Sequence, residues 1–262
     1  MEPVKTAVEE TAPDVASESP FLHEPPRGVI AEWTITIILL LFGTTTLMQA
    51  FVIPTGSMED TLLIGDHLIV DKLAYAPGGN ITAKLLPYTG IQRGDIIVFR
   101  YPVRPAEHFV KRVVAVPGDH IRLHDKQLLV NGKPVPEDYV LHKLRGRDSF
   151  RDNFPATDFF TSSIDAGWFQ EMRGQIRNGG IVVPPGKYFV LGDNRDESLD
   201  SRYWGFVPRE NIVGRPLIIY WSVDDNGHDL AAMPDGTLSR LAYGLAHLFQ
   251  NTRWERTFRV VR

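Results

Sequence analysis

The longest uncharged apolar segment runs from Trp33 to Ile53, and it constrains the fold of the whole chain. It contains 21 residues. At about 1.5 Å per residue, a helix of that length measures roughly 30 Å, which is the thickness of the hydrocarbon core of a bilayer. Its centre, residues 37–42, is apolar on every side of a helix, which suits lipid better than an amphipathic surface. A buried core helix is the alternative, but such helices are usually shorter. We therefore predict one transmembrane helix within residues 29–53.

The residues before this segment indicate its orientation. Residues 1–28 contain five prolines and many acids without an apolar period, so we predict a disordered N-terminus. They carry Lys5 and Arg27, whereas the first basic residue after the span is Lys72. Basic flanks tend to stay in the cytoplasm. The pattern favours a cytoplasmic N-terminus, with the rest of the chain on the outer face of the membrane.

Composition excludes several kinds of partner and site. The formal net charge of −4 gives no sign of a nucleic-acid partner. There are no cysteines, so disulfides and thiolate zinc sites are excluded. His120 and His124 are the histidines closest in sequence, but on a strand they would lie roughly 13 Å apart. No metal site and no cofactor are predicted.

Residues 54–235 are predicted to form a β-rich domain. Apolar runs bounded by turn residues are typical of strands, and they occur at 62–70, 96–99, 109–116, 121–130, 180–183, 188–191 and 215–221. Residues 136–180 lose this pattern, which suggests an insertion with one short helix near residues 165–176. Leucines at helical spacing predict a C-terminal helix from Leu238 to Phe249, within the segment 236–262. The basic, aromatic tail Arg253–Arg262 could lie on anionic lipid or pack on the domain, and both interpretations stay open.

Ser57 follows the apolar span almost directly, in the run Ile53–Met58. A serine is a poor nucleophile until a neighbouring group accepts its proton. The Gly-x-Ser-x-Gly motif is absent and the histidines are scattered, so a neutral lysine is the candidate base. Lys111 lies in a predicted strand, on the same face as Phe109 and Val113. From spacing alone, an edge-strand lysine with its amine in water is the more ordinary interpretation.

Three blocks of the sequence resemble bacterial type I signal peptidases and occur in that family's order: Pro54–Met58, Phe109–Asp119 and Gly192–Gly205. A membrane span precedes the first block, as it does in the family. The resemblance implies a mainly antiparallel β fold of the signal-peptidase and LexA-like type. It also implies cleavage of signal peptides from exported preproteins after small residues, of the Ala-x-Ala kind, at the bacterial inner membrane.

The resemblance implies chemical roles for four residues. Ser57 is the expected nucleophile, and Lys111 is the expected general base. The backbone N–H of Ser57 and the hydroxyl of Thr55 would form the oxyanion hole. Ser198 would hydrogen-bond the amine of Lys111 and orient it.

The resemblance also implies supporting residues around that centre. A carboxylate in contact with Lys111 would raise the pKa of its amine, so we expect the nearby carboxylates to pair with arginines instead. The expected bracing residues are Asp193, Arg195, Asp200 and Arg202, with Asp200 paired to Arg202. The expected lining of the small substrate pockets is Ile53, Met58, Leu62 and Val110.

Two other functions compete with this one. A self-cleaving Ser–Lys repressor-type protease would need a DNA-binding domain, and residues 1–28 are unsuited to fold into one. A catalytically dead, membrane-anchored binding protein would be expected to lack Ser57 or Lys111, and both are present. The sequence also departs from the family pattern, because Glu59 and Asp60 stand where a proline is common. These acids are expected to influence substrate preference downstream of the cut.

Overall fold

The computed structural model describes residues 28–75, 89–158, 163–224 and 250–262. The chain divides into two compact units between Leu41 and Phe42. The disordered segment predicted for residues 1–28 lies outside the described residues except for Gly28. Most of the predicted C-terminal helix, including Leu241, Leu245 and Leu248, also lies outside them.

Helix α1 spans Val29–Phe42, none of its residues is buried, and a π-helical turn, Gly43–Leu47, continues it. Residues 29–47 form the one helical stretch, within the described ranges, that is long and apolar enough to cross a membrane. The prediction of a helix up to Ile53 is wrong at its end, because Met48–Val52 forms strand β1. This strand pairs antiparallel with β2 (Asp66–Asp71), and its residues alternate between exposed and half-buried. Apolar composition alone does not distinguish helix from strand here, whereas a partner strand for the backbone does.

The larger unit consists mainly of antiparallel strands, which confirms the predicted fold class. Its larger sheet has the order β1-β2-β12-β3-β4-β10-β11, with β13 also paired to β12. These strands are β2 (Asp66–Asp71), β3 (Ile96–Arg100), β4 (His108–Ala115), β10 (Lys187–Leu191), β11 (Val207–Pro208), β12 (Ile212–Ser222) and β13 (Arg259–Val260). The smaller sheet has the order β7-β6-β5-β9-β8. Its strands are β5 (His120–His124), β6 (Gln127–Val130), β7 (Lys133–Pro134), β8 (Ile176–Arg177) and β9 (Gly180–Val182).

Two further α-helices belong to this unit, α2 (Ala166–Gln175) and α3 (Ser201–Trp204). Helix α2 lies where a helix was predicted, and the carboxylate of Asp165 caps it by accepting a hydrogen bond from Trp168 N at 2.8 Å. Trp168 and Met172 pack into the apolar core of the smaller sheet. The described part of residues 136–180 is therefore integrated with that sheet through α2 and β8.

A second apolar core lies beneath the segment that carries Ser57. Met58 and Leu62 are almost completely buried, and they pack with Leu68 of β2 and Ile96 of β3. Burial of such a side chain contributes about 1.5–3 kcal/mol. This packing holds the segment after β1 against the larger sheet and so determines where Ser57 lies.

Candidate active site

Ser57 lies in a 3-10 turn, Gly56–Met58, and is 8% exposed. The third sequence block holds this turn in place. The backbone N–H of Asn194 donates to Ser57 O at 3.2 Å, and its side-chain Nδ2 donates to Gly56 O, also at 3.2 Å. No role was predicted for Asn194, because the sequence marks it only by its position inside the Gly192–Gly205 block.

Gly192 allows this close approach of the two segments. A Cβ atom added at Gly192 would lie 2.3 Å from Ser198 Oγ and 2.4 Å from Ser57 O. Both separations are far below van der Waals contact, and one of the atoms belongs to the backbone of the Ser57 turn. A side chain at this position would displace the Ser57 carbonyl.

Lys111 reaches Ser57 from the neighbouring strand β4 and is 4% exposed. Its Nζ lies 2.5 Å from Ser57 Oγ and 3.1 Å from Val110 O. The same nitrogen lies 5.5 Å from the centre of the Phe109 ring, so an aromatic side chain covers the amine. The interpretation of Lys111 as an exposed edge-strand residue is wrong, because the sheet and the Ser57 turn enclose it.

Burial is the main cause that lowers the pKa of Lys111, to about 8, because the charged amine loses its hydration. The charges of Asp200 and Asp193 act in the opposite direction, and Arg202 adds to the lowering. A substantial fraction of the amine is then neutral between pH 7 and 8. A neutral Nζ has a lone pair that can accept the Ser57 proton.

Asp200 and Arg202 form a fully buried ion pair, as the sequence argument expected. Arg202 Nε and Nη2 donate to the two oxygens of Asp200, each at 2.8 Å. Asp200 also accepts from Gly192 N at 3.1 Å. Burial alone would raise the pKa of Asp200, but Arg202, the Gly192 N–H and the Ser198 hydroxyl lower it below the usual range. The carboxylate is thus held by the arginine and the loop instead of by Lys111.

Asp193 is paired with an arginine, as expected, but that arginine is Arg112 of β4 and not an arginine of the Gly192–Gly205 block. Asp193 accepts two hydrogen bonds from Arg112, at 2.9 Å from Nε and 2.7 Å from Nη2. Arg195 instead binds Glu137, with Nη1 at 3.0 Å from Oε2. The reason is the strand register, since Arg112 lies opposite Leu191 on β10, which brings it close to Asp193. Arg112 and Asp193 are 81 positions apart in the sequence, so no local pattern predicts their contact.

Ser198 does not make the hydrogen bond to Lys111 that the resemblance implies. Its side chain is buried, and within the described part of the chain its Oγ has no partner with hydrogen-bond geometry. The Ser198 hydroxyl is still close enough to the Asp200 carboxylate to lower the pKa of that group. The amine of Lys111 is directed by Ser57 Oγ and Val110 O instead.

A cleft of about 270 Å³ adjoins Ser57 and Lys111. Three of the four predicted pocket residues line it, namely Ile53, Met58 and Val110. Leu62 does not line the cleft, because it is fully buried in the apolar core that also contains Met58. Several other residues line the cleft and were not predicted as pocket residues: Phe51, Val52, Pro54, His108, Phe109, Glu197 and Leu199. Phe51 and Val52 were missed because they were assigned to the membrane helix.

Thr55 lies at the exposed edge of this cleft, with its Oγ1 3.5 Å from Ser57 Oγ. Its hydroxyl and the Ser57 backbone N–H are therefore close to the point where a substrate carbonyl would meet the nucleophile. Among the described residues, no group of three or more histidine, aspartate or glutamate side chains is arranged to hold a metal ion.

Comparison with known proteins identifies the family. A sequence model of the family "Signal peptidase, peptidase S26" matches residues 27–221. The Signal peptidase I of Pseudomonas fluorescens is 35% identical over 223 residues, covering 79% of this chain and 75% of that protein. The Signal peptidase I of Aquifex aeolicus is also 35% identical, over 227 residues, covering 75% and 84%. A solved signal peptidase I from Enterococcus faecalis matches with 30% identity and a TM-score of 0.37, over 48% of this chain and 97% of that one. On the evidence of the sequence matches, the chain belongs to the signal peptidase family, peptidase S26, and is a serine endopeptidase.

Proposed function

We propose that this chain is a membrane-anchored endopeptidase that removes N-terminal signal peptides from exported preproteins, with Ser57 as nucleophile and neutral Lys111 as general base. One observation carries the proposal. Lys111 Nζ and Ser57 Oγ lie 2.5 Å apart, both side chains are buried, and the pKa of Lys111 is lowered to about 8. An amine in that state can take the serine proton directly.

The proposed reaction has two halves. Ser57 Oγ attacks the scissile carbonyl carbon while Lys111 Nζ takes its proton, and the carbonyl oxygen becomes an oxyanion held by the Ser57 N–H and the Thr55 hydroxyl. The C–N bond then breaks, and the Lys111 ammonium returns its proton to the leaving amine. Lys111 next takes a proton from water, whose oxygen attacks the ester. The collapse of that intermediate releases the signal peptide's carboxylate and returns the proton to Ser57.

The lining of the cleft is compatible with small apolar residues before the scissile bond. It is largely apolar, with Ile53, Met58 and Val110 near the dyad. An Ala-x-Ala segment would place its methyl groups against these residues.

We further propose that the helical stretch 29–47 spans the inner membrane, with the N-terminus in the cytoplasm and the β-rich domain outside. The division into a short N-terminal segment, one span and a domain from residue 54 is part of this proposal. Protease added to intact spheroplasts is expected to digest the β-rich domain, with a cytoplasmic marker protein as the protected control. If the domain resists protease until the cells are lysed, it lies in the cytoplasm and the proposed orientation is wrong.

Substitution of Thr55 by valine tests the oxyanion hole. Valine keeps the shape of threonine and removes the hydroxyl donor, and the loss of one such donor typically lowers kcat by about 10²–10³. We expect that loss in kcat with little change in KM, measured on a preprotein substrate. The matched control is Thr55→Ser, which keeps the hydroxyl and should retain most activity. A change in kcat of less than about threefold in the valine variant would place the stabilising donor elsewhere.

The function itself is tested with the purified full-length protein in detergent micelles. Incubation with an exported preprotein is expected to produce one new N-terminus, directly after an Ala-x-Ala sequence, as read by N-terminal sequencing. A dead binding protein would retain the preprotein without cutting it. A self-cleaving protease would shorten its own chain without added substrate. Either result would replace the proposal.

A further inference from the structure

A second cavity adjoins the Ser57 turn and is lined by charged side chains. Its volume is about 460 Å³, and Gly56, directly before Ser57, forms part of its wall. Glu197 lines both this cavity and the apolar cleft, so the two spaces adjoin at Glu197. The reaction described above gives the second cavity no role.

The charged residues of this cavity form a connected group. Lys143 Nζ contacts Glu59 Oε2 at 2.5 Å and Glu197 Oε2 at 3.1 Å. Asn194 Nδ2, which holds the Ser57 turn through Gly56 O, also contacts Glu197 Oε2 at 3.1 Å. All three charged side chains are partly exposed, Lys143 at 35%, Glu59 at 33% and Glu197 at 52%. They are thus available to a ligand while still tied to the nucleophile's turn.

The balance of charge in the cavity is negative. Three carboxylates line it, from Glu59, Glu197 and Asp224, against two cations, from Lys143 and Arg253. Arg253 is also bound to the carbonyl oxygens of Ile64 and Val223, both at 2.6 Å, so it is directed toward the backbone. Next to the Ser57 turn, the carboxylates of Glu59 and Glu197 share a single cation, Lys143, so the net charge that a ligand would meet there is negative.

We propose that this cavity binds the substrate residues that follow the scissile bond, and that Glu59 and Glu197 make it prefer basic over acidic side chains there. The inference rests on the proposed function. If the residues before the scissile bond occupy the apolar cleft, the chain beyond the bond must leave past Ser57, and the cavity at Gly56 is the adjoining space. An extended chain advances about 3.3 Å per residue, so the first few residues after the bond would pass these carboxylates.

The test uses peptide substrates that share one Ala-x-Ala segment and carry lysine, glutamine or glutamate at the first, second or third position after the cut. The full-length protein in detergent micelles is expected to show a kcat/KM for lysine about fivefold above that for glutamate at one or more of these positions. This is the effect of a partly exposed ion pair. The ratio should shrink toward one at high salt, because exposed charges are screened.

Four variants give the sign of the effect. Glu59→Gln and Glu197→Gln should each reduce the lysine-to-glutamate ratio, and the double variant should reverse it, because Lys143 would then lack its partners. Lys143→Gln should increase the ratio. Glu171→Gln is the matched control, since it removes the same charge from an exposed position on helix α2 and should leave the ratio unchanged. Because each ratio is measured within one variant, a lower amount of folded protein does not alter it.

The outcomes separate this inference from the proposed function. Cleavage that needs Ser57 but shows equal rates for lysine and glutamate at all three positions would overturn the inference alone. If the ratio changes equally in Glu171→Gln and in the cavity variants, the preference comes from the net charge of the protein and the inference is overturned. Absence of any cleavage that depends on Ser57 would overturn the proposed function.

Discussion

Ser57→Ala is expected to abolish signal-peptide cleavage, with a loss in kcat of at least about 10⁴-fold, because it removes the hydroxyl that contacts Lys111 Nζ and that would form the acyl-enzyme. The fold should persist. Within the described residues, the hydroxyl is hydrogen-bonded to Lys111 and Thr55, whereas the turn is held through the backbone oxygens of Gly56 and Ser57 by Asn194. Single-turnover cleavage of a preprotein measures the loss, and the thermal midpoint of the full-length protein checks the fold.

The matched control for this variant is Ser163→Ala, which removes the same hydroxyl from an exposed position. It is expected to cleave at the rate of the unmodified protein. The Ser57 variant should still bind signal peptide, because the cleft lining is unchanged. Normal processing by Ser57→Ala would show that another residue is the nucleophile, and the proposed Ser57–Lys111 dyad would be wrong.

Lys111→Met is expected to be as inactive as Ser57→Ala, yet at least as stable as the unmodified protein at pH 7. Methionine keeps most of the apolar stem and removes the amine, so no group remains to take the Ser57 proton. In the unmodified protein, kcat/KM should rise with pH and level off above about pH 8, since the pKa of Lys111 is lowered to about 8 and only the neutral amine is a base. The methionine variant should show no such rise.

The stability prediction follows from the direction of the same shift. The pKa of a lysine in the unfolded chain is about 10.4, so folding a charged Lys111 costs about 3 kcal/mol below pH 8. Between pH 8 and about 10.4 the unfolded state binds more protons than the folded state, so stability rises with pH. Above both values the cost vanishes. Loss of the hydrogen bonds from Nζ to Ser57 and Val110 offsets the gain in the variant by about 1–2 kcal/mol.

The two proteins should therefore exchange their order of stability as pH rises. At pH 7 the methionine variant should be the more stable by about 1–2 kcal/mol, and near pH 10 it should be the less stable. Denaturation by guanidinium of both full-length proteins in detergent micelles, at pH 7 and pH 10, measures the exchange. A variant clearly less stable at pH 7 would mean that Lys111 is charged and paired, and the base would have to be sought elsewhere.

The sequence by itself determined the features that depend on local pattern. The strands were predicted because apolar runs bounded by turn residues are typical of strands, whereas their antiparallel arrangement was implied by the resemblance to the family. A helix was predicted near residues 165–176, and the structure shows a local reason for helix α2, since Asp165 caps its first turn. The three blocks around Ser57, Lys111 and Gly192 led to the family because each is a contiguous motif.

Only the tertiary structure decided the features that depend on contacts between distant residues. The apolar segment stops being helical after Leu47 because β2 offers a partner for the backbone of Met48–Val52. Asp193 meets Arg112 because β4 and β10 lie in register, and Leu62 is buried because it packs in one core with Leu68 of β2 and Ile96 of β3.

The lowered pKa of Lys111 has the same origin. It arises from burial by the sheet and by the Ser57 turn, and the residues that enclose it are far apart along the chain. Burial and pairing are sums over such contacts, whereas a sequence pattern reports only neighbours along the chain. For that reason the spacing alone made Lys111 look like an exposed strand residue, and it was the resemblance to the family that marked Lys111 as the expected base.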